Sequence, residues 1–218
     1  MWQPVGPGSG TDVEGCRLDT QGSDYTDRLR TREQAWWKRA LNVQGIYRWN
    51  LRRHSPGRTL DVGCGLGRNL LALPEGSVGV DHNADSVRTA RDRGFRAYTV
   101  EEFLAGDAAI DSGYDTLLFA HVIEHLAPDE GTELVRSYLP YLRDGGSVLF
   151  ICPQERGYRS DPTHISFTTS DDLEALSRRV GLVPERSQSF PFPRAVGKVF
   201  TYNEWVVRAR KPVGATPA

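Results

Sequence analysis

The sequence is sparing in several things, and each shortage removes a class of protein. It has three cysteines, Cys16, Cys64 and Cys152, scattered and without metal-ligand spacing. That argues against a disulfide scaffold or a zinc module. Cys64 and Cys152 fall at the ends of candidate core strands, so buried free thiols are expected. No apolar run approaches the length of a membrane span. The N-terminus lacks a charged stretch followed by an apolar core, so no secretory signal is visible and a cytoplasmic protein is expected. An excess of either charge is also lacking: 27 Lys and Arg against 28 Asp and Glu leave a formal net charge of −1. Such a chain has no global attraction for nucleic acid or an anionic membrane. Internal repeats are absent too. At 218 residues, 39% hydrophobic and 25% charged, the chain reads as one globular domain with a small appendage.

Residues 1–23 are rich in Gly, Pro, Ser and Asp and read as a disordered arm. Residues 24–54 read as amphipathic helices, with Leu29, Trp36, Trp37, Ala40, Leu41, Ile46, Tyr47 and Leu51 at helical intervals and Gly45 as a break point. A domain over 55–212 follows, then a flexible tail over 213–218. Within it, short apolar strands at Leu60–Val62, Ser77–Asp81, Phe95–Val100, Tyr114–Ala120 and Ser147–Cys152 alternate with helical patterns such as Ala84–Arg93 and Thr132–Leu142. Strands too apolar to alternate between core and solvent imply a parallel sheet covered on both faces. A ligand in such a sheet lies beyond the strands' carboxyl ends. The tail supplies a helix over Thr169–Val180 and two more strands, Leu182–Phe190 and Thr201–Arg210.

The most informative stretch is TLDVGCGLGRNLLAL, Thr59–Leu73. A strand ends at Val62, Gly63, Gly65 and Gly67 follow, and Leu66, Leu70, Leu71 and Leu73 sit at helical spacing. Alternating glycines let a ligand approach the backbone with no Cβ in the way, and a helix start behind them would aim free N–H groups at it. The dinucleotide fingerprint G-x-G-x-x-G fails here, because Arg68 stands in place of its third glycine. The run D-x-G-x-G-x-G instead resembles the first motif of class I S-adenosylmethionine-dependent methyltransferases. VGVDHN (Val78–Asn83), YDTLLFAHVIEHL (Tyr114–Leu126) and LRDGGSVLFICP (Leu142–Pro153) resemble that family's second, fourth and fifth strands, in family order.

The resemblance implies a Rossmann-like α/β fold over residues 58–153 and beyond: a seven-stranded, mostly parallel sheet in the order 3-2-1-4-5-7-6 with the last strand antiparallel. It implies S-adenosyl-L-methionine as cofactor, and N-terminal helices that cover the sheet or form a lid, with Trp37 or Tyr47 against the ligand. It places the cofactor on Asp61, Gly63, Cys64, Gly65 and Gly67, with Asp81 accepting the ribose hydroxyls and His82 beside the adenosine. Thr99, Val100 and Glu101 fall where the adenine is held, and the backbone at Ala120 and His121 where the sulfonium lies.

HVIEH, His121–His125, also matches the inverted zincin motif H-x-x-E-H. Its position directly after a buried strand favours a loop-anchoring role over a peptidase. A third reading joins His121, Glu124 and His125 to His164, because some RNA-terminal and quinone-precursor O-methyltransferases hold a divalent metal with an E-x-x-E-H stretch and a later histidine. His121 in place of the first glutamate would favour a borderline ion over Mg²⁺. His164, in SDPTHISFTT, is the candidate general base for an acceptor hydroxyl, and His121 its rival. Gln154, Glu155, Arg156, Tyr158 and Arg159 form a polar rim suited to a polar acceptor such as a polyol. The expected activity is methyl transfer to the oxygen of a small molecule, by a monomer or homodimer. A metal-assisted enzyme acting on vicinal hydroxyls or an RNA end, and a non-catalytic cofactor-binding subunit, are the alternatives.

Overall fold

A computed structural model describes residues 43–54 and 57–214. The expected N-terminal arm, the whole of the expected helical region before Val43 (Trp36 and Trp37 included), Cys16 and residues 215–218 lie outside the described residues. The first described element, α1 (Val43–His54), runs through Gly45 without a break. Gly45 falls in its first turn, where a poor helix former costs least.

The sheet consists of β1 (Thr59–Val62), β2 (Val78–Asp81), β3 (Ala97–Thr99), β4 (Tyr114–Ala120), β5 (Leu142–Pro153), β6 (Val183–Phe190) and β7 (Glu204–Arg210). They lie in the order β3-β2-β1-β4-β5-β7-β6. Pairs from β3 through β5 are parallel, and β7 runs antiparallel to both neighbours. The apolar strands are buried on both faces. Leu117, Phe119, Val148, Phe150 and Cys152 join one core, with Phe103, Val135, Tyr138, Leu173 and Leu176 from the helices. The alternate residues Leu118, Ala120, Leu149 and Ile151 join the other, with Leu51 of α1 and Phe190. Alternation between two apolar cores, rather than core and water, is why these strands carry no polar period.

The covering helices are α2 (Ala84–Asp92), α3 (Val100–Ala105), α4 (Pro128–Tyr138), the one-turn α5 (Glu155–Tyr158) and α6 (Ser170–Arg179). Asn83 caps α2 by accepting from the Ser86 N–H, and Thr169 forms a capping box with Asp172 on α6. The fourth helix starts at Pro128, four residues before the expected Thr132, because Pro128 is pre-set for a first helical turn.

The helix expected after the glycine turn does not form. Residues 66–73 form successive turns, not a helix. Gly67 has φ +78°, a left-handed residue where a first helical turn would need to be right-handed. Pro74 then disfavours helical backbone at Leu73, and the few residues between are too short a run to nucleate a helix.

Parallel register puts the carboxyl ends of the strands on one edge. Val62 pairs with Val80 and Phe119, Asp81 with Thr99, and Ala120 with Ile151. Because β7 is antiparallel, its first residue, Glu204, lies opposite Pro153 at the same edge. No helix among the described residues is long and apolar enough to cross a membrane.

Candidate active site

The three motif glycines all have positive φ, +77° at Gly63, +51° at Gly65 and +78° at Gly67, but for different reasons. A Cβ on Gly63 would lie 2.4 Å from the Val122 side chain, and one on Gly67 2.6 Å from the Phe95 ring. Those two glycines permit close packing. A Cβ on Gly65 would meet nothing within 4 Å, so the middle of the turn faces open space. The Cys64 thiol points the other way, packed over Gly79 in the core, and burial pushes its pKa well up, helped by the charges of Asp61 and Asp81.

Asp81 holds this turn in shape. One carboxylate oxygen accepts from the Gly65 N–H at 2.8 Å and the other from the Asn83 N–H at 2.8 Å. Each oxygen keeps a second lone pair for a ligand hydroxyl. Asp61 is fully buried. Its Oδ1 accepts from Asn69 at 3.4 Å, and its Oδ2 has no partner. Burial pushes its pKa up to about 7, against the Asn69 hydrogen bond. His82 is exposed beside Asp81, its Nδ1 3.5 Å from Oδ1. Thr99 caps α3 in a capping box with Glu102, Val100 and Glu101 form the first turn, and Glu101 is exposed.

Across the edge, β4 ends at Ala120 and His121 follows it. His121 is one of two non-glycine residues among those described with positive φ, at +59°, and its N–H donates to the Ile151 carbonyl at 2.9 Å. Its ring lies between two carboxylates, with Nδ1 3.1 Å from Glu124 and Nε2 3.0 Å from Glu204. Burial pulls the imidazole pKa down, but the hydrogen bonds and charges of Glu124 and Glu204 overcome this and raise it to about 10. At neutral pH both nitrogens therefore carry protons, and His121 is a poor proton acceptor. The side chain of Glu124 is 1% exposed. Burial raises its pKa, and the His121 hydrogen bond and charge more than reverse that. Residues Ile123–His125 form a single 3₁₀ turn, so H-x-x-E-H does not lie along one α-helix as a zincin needs.

The loop after β5 comes back over Glu124, whose carbonyl accepts from the Ile165 and Ser166 N–H groups. Asp161 accepts from both the N–H and hydroxyl of Thr163, fixing the turn that Asp161–Pro162 signals in sequence. Thr163 presents its carbonyl to His125 Nδ1 at 3.1 Å, and Tyr158 presents its carbonyl to His164 Nδ1 at 2.8 Å. The His125 and His164 rings are 4.7 Å apart, and Tyr158 stacks on His164. Burial lowers the pKa of His125, opposed by the charge of Glu124. Of the four expected metal ligands, Glu124, His125 and His164 come together, each offering a ligand atom within 4.8 Å of the others. His121 is turned aside by Glu204.

Gln154 is not at the polar rim: it is fully buried, donating to Ser189 Oγ and the Glu204 carbonyl and accepting from Asn203. The chain leaving β5 there is covered by the start of β7, so its first polar side chain becomes a fastening. Glu155 pairs with Arg194, while Arg156 and Arg159 are exposed. Tyr47 of α1 packs edge-on against Phe190 and donates to the Tyr202 carbonyl. Burial raises its pKa, then the charge of Glu204, with Arg68 opposing. Tyr47 thus ties α1 to Phe190 at the end of β6 and to the segment that leads into β7.

Sequence reasoning missed Asn69 and Glu204. Glu204 carried one faint signal, an acid at the head of the apolar run WVV, and its partner is 83 residues away in sequence.

The sequence family described as a methyltransferase domain matches residues 30–186. No curated protein matches the sequence. Solved structures do match in fold. A SAM-dependent methyltransferase from Archaeoglobus fulgidus is 20% identical with a TM-score of 0.61, over 77% of this chain and 94% of that one. The 1,6-didemethyltoxoflavin-N1-methyltransferase of Burkholderia thailandensis, with bound 1,6-didemethyltoxoflavin and S-adenosylhomocysteine, is 21% identical with a TM-score of 0.60, over 96% and 94%. The magnesium protoporphyrin IX methyltransferase of Synechocystis, with bound SAM, is 14% identical with a TM-score of 0.60, over 94% and 100%.

Proposed function

The chain belongs to the methyltransferase-domain family, and from that premise we propose that this S-adenosylmethionine-dependent methyltransferase acts on a hydroxyl of a small, polar acceptor. The observation that carries the reading is the contrast among the motif glycines: Gly63 and Gly67 are packed against side chains, while the face of Gly65 is open. A backbone surface left bare at the carboxyl edge of the sheet is what an adenosylated amino acid requires. Neighbouring groups fit it. Asp61 keeps a buried oxygen without a partner, suited to the ligand's ammonium, and Asp81 retains lone pairs for ribose hydroxyls.

Bound there, S-adenosylmethionine supplies a methyl group already activated on a cationic sulfur. The chain has to align an acceptor oxygen and accept one proton. Alignment in a water-poor cleft can supply several kcal/mol of the barrier through effective molarity. His164 is the better base, because Nδ1 donates to the Tyr158 carbonyl and leaves the Nε2 lone pair available. His121 is engaged at both nitrogens and acts as a brace between β4 and β7. The exposed Arg156 and Arg159, with the Glu155–Arg194 pair, favour an acceptor rich in hydroxyl or anionic groups. Related folds act on different acceptors, a toxoflavin precursor and a magnesium porphyrin among them, so fold does not choose the substrate.

The direct experiment incubates the purified protein with methyl-labelled cofactor and a panel of hydroxylated small molecules. A labelled product is expected, with turnover lowered about 10²–10⁴-fold in His164→Ala and cofactor affinity unchanged. Wild-type turnover in that variant removes His164 as the base. Failure of the protein to bind the demethylated cofactor in calorimetry refutes the cofactor cleft itself.

A further inference from the structure

The carboxyl edge of the sheet exposes apolar surface beyond the glycine turn and the histidines. Five of the twelve large apolar side chains exposed among the described residues, Ile165, Phe167, Phe192, Val199 and Tyr202, fall in two connections, 154–169 after β5 and 191–203 between β6 and β7. Both connections lie at this edge, because Glu204 pairs with Pro153 on one side and with Phe190 on the other. They are also fastened to each other. Glu155 pairs with Arg194, and Gly157 approaches the Thr201 carbonyl so closely that a Cβ there would lie 2.5 Å from its oxygen. Asn203 holds the second connection in shape, donating to Gln154 Oε1 at 3.0 Å and accepting from the Phe192 N–H at 2.9 Å. Ring contacts extend the surface: Phe200 meets Phe192 and Tyr202 edge-on, and Tyr158 meets Phe167 in the same way. The backbone therefore holds these side chains outward. Val199, directly after the 3₁₀ turn Arg194–Lys198, is 77% exposed, and a contiguous apolar patch of this kind marks an interaction surface more often than scattered single side chains do.

The charge of these connections is opposite in sign to that of the chain. They hold four cations, Arg156, Arg159, Arg194 and Lys198, against two acids, Glu155 and Asp161, and residues 191–203 contain no acid. Both acids are engaged, Glu155 by Arg194 and Asp161 by Thr163, while Arg156, Arg159 and Lys198 are exposed. The net charge of −1 over the whole chain thus conceals a local excess of positive charge. We propose that this edge docks on the surface of an anionic lipid bilayer. Outward apolar and aromatic side chains interleaved with long cations match the bilayer interface, where apolar groups enter the acyl boundary and Arg and Lys reach the phosphates. The centre of a protein–protein interface is instead depleted in lysine, whereas here Lys198 adjoins the most exposed apolar residue of the patch. Each cation near such a surface strengthens binding about fivefold. The surface rests on the methyltransferase reading only for its role: the mouth of the cleft would face the headgroup layer, where a polar, hydroxyl-bearing acceptor is within reach.

The test uses the full chain in co-sedimentation with vesicles of phosphatidylcholine alone or mixed equally with phosphatidylglycerol. Wild type is compared with Val199→Asp, Lys198→Glu and Val213→Asp; Val213 is also apolar and exposed but lies beside Gly145, near the opposite end of β5. The protein is expected to bind the mixed vesicles, and to bind them more weakly as salt is raised. Affinity should fall at least about tenfold in Val199→Asp and in Lys198→Glu and stay unchanged in Val213→Asp. Absence of binding, equal binding to both kinds of vesicle, or equal binding by wild type, Val199→Asp and Lys198→Glu overturns the proposal. A dimer in light scattering that Val199→Asp dissolves would make the edge an interface between copies, which overturns it equally. Thermal melts check that each variant is folded. Calorimetry with the demethylated cofactor on the same samples tests the cofactor cleft separately, so failure of one is not mistaken for failure of the other.

Discussion

Substituting alanine at each motif glycine separates a ligand-facing position from packing positions. At Gly65, φ is +51° and an added Cβ meets nothing within 4 Å. Gly65→Ala therefore carries only left-handed strain, about 1–2 kcal/mol. For a domain of this size that corresponds to a fall of roughly 2–8 °C in Tm. At Gly63 the same strain is joined by a contact of 2.4 Å to Val122 Cγ2, and forced overpacking adds about 1–3 kcal/mol. Gly63→Ala should thus lose about twice as much stability. The order reverses for ligand affinity relative to stability: the methyl at Gly65 projects into the cleft, so binding of the demethylated cofactor should weaken at least tenfold, about 1.4 kcal/mol, while the fold survives. Thermal melts and calorimetry on the two variants give both quantities. Wild-type affinity in a folded Gly65→Ala protein would refute the claim that this face meets the ligand, and a Gly65→Ala protein less stable than Gly63→Ala would refute the packing argument.

Three further outcomes are expected. His54 is buried, and burial together with Arg53, Arg186 and Arg208 depresses its pKa from 6.5 to about 4. Below pH 6.5 the unfolded chain takes up a proton that the folded one declines, so this residue's contribution falls between pH 6.5 and 4, by at most about 3 kcal/mol. Urea melts across that range should show a shallower slope in His54→Gln. Asp61, raised to about 7 by burial, is half protonated at neutral pH in the free protein. Affinity for the demethylated cofactor should therefore rise with pH through 7 and lose that dependence in Asp61→Asn; an identical profile in the variant removes Asp61 from the ammonium site. Tyr47→Phe deletes the hydrogen bond to the Tyr202 carbonyl and should cost about 1 kcal/mol in chemical denaturation, with an unchanged midpoint showing that α1 is not anchored there.

Much of the fold was legible locally. Leu117–Ala120 and Val148–Cys152 are apolar at every position because each strand feeds two cores, and that pattern needs no partner to be read. Asn83, Thr169, Gly94 and Gly181 mark helix ends through their own backbone preferences. The failed helix at 66–73 shows the limit of periodicity: Leu66, Leu70, Leu71 and Leu73 have helical spacing, yet the left-handed turn at Gly67 and the proline at 74 leave no room for one. Gln154 shows another limit, since a polar side chain in a polar run looks exposed until β7 is laid over it.

The sequence by itself determined the βα alternation, the glycine turn and the acid Asp81 at the end of the next strand, because turn chemistry and hydrophobic period act between near neighbours. Only the tertiary structure decided what each histidine can do. Antiparallel β7 carries Glu204 to His121 Nε2, where with Glu124 at Nδ1 it favours the charged imidazolium, and the returning loop brings His164 against His125 and Glu124. Protonation state and ligand geometry depend on charges and lone pairs a few ångströms apart in space, and those distances exist only after distant segments have packed.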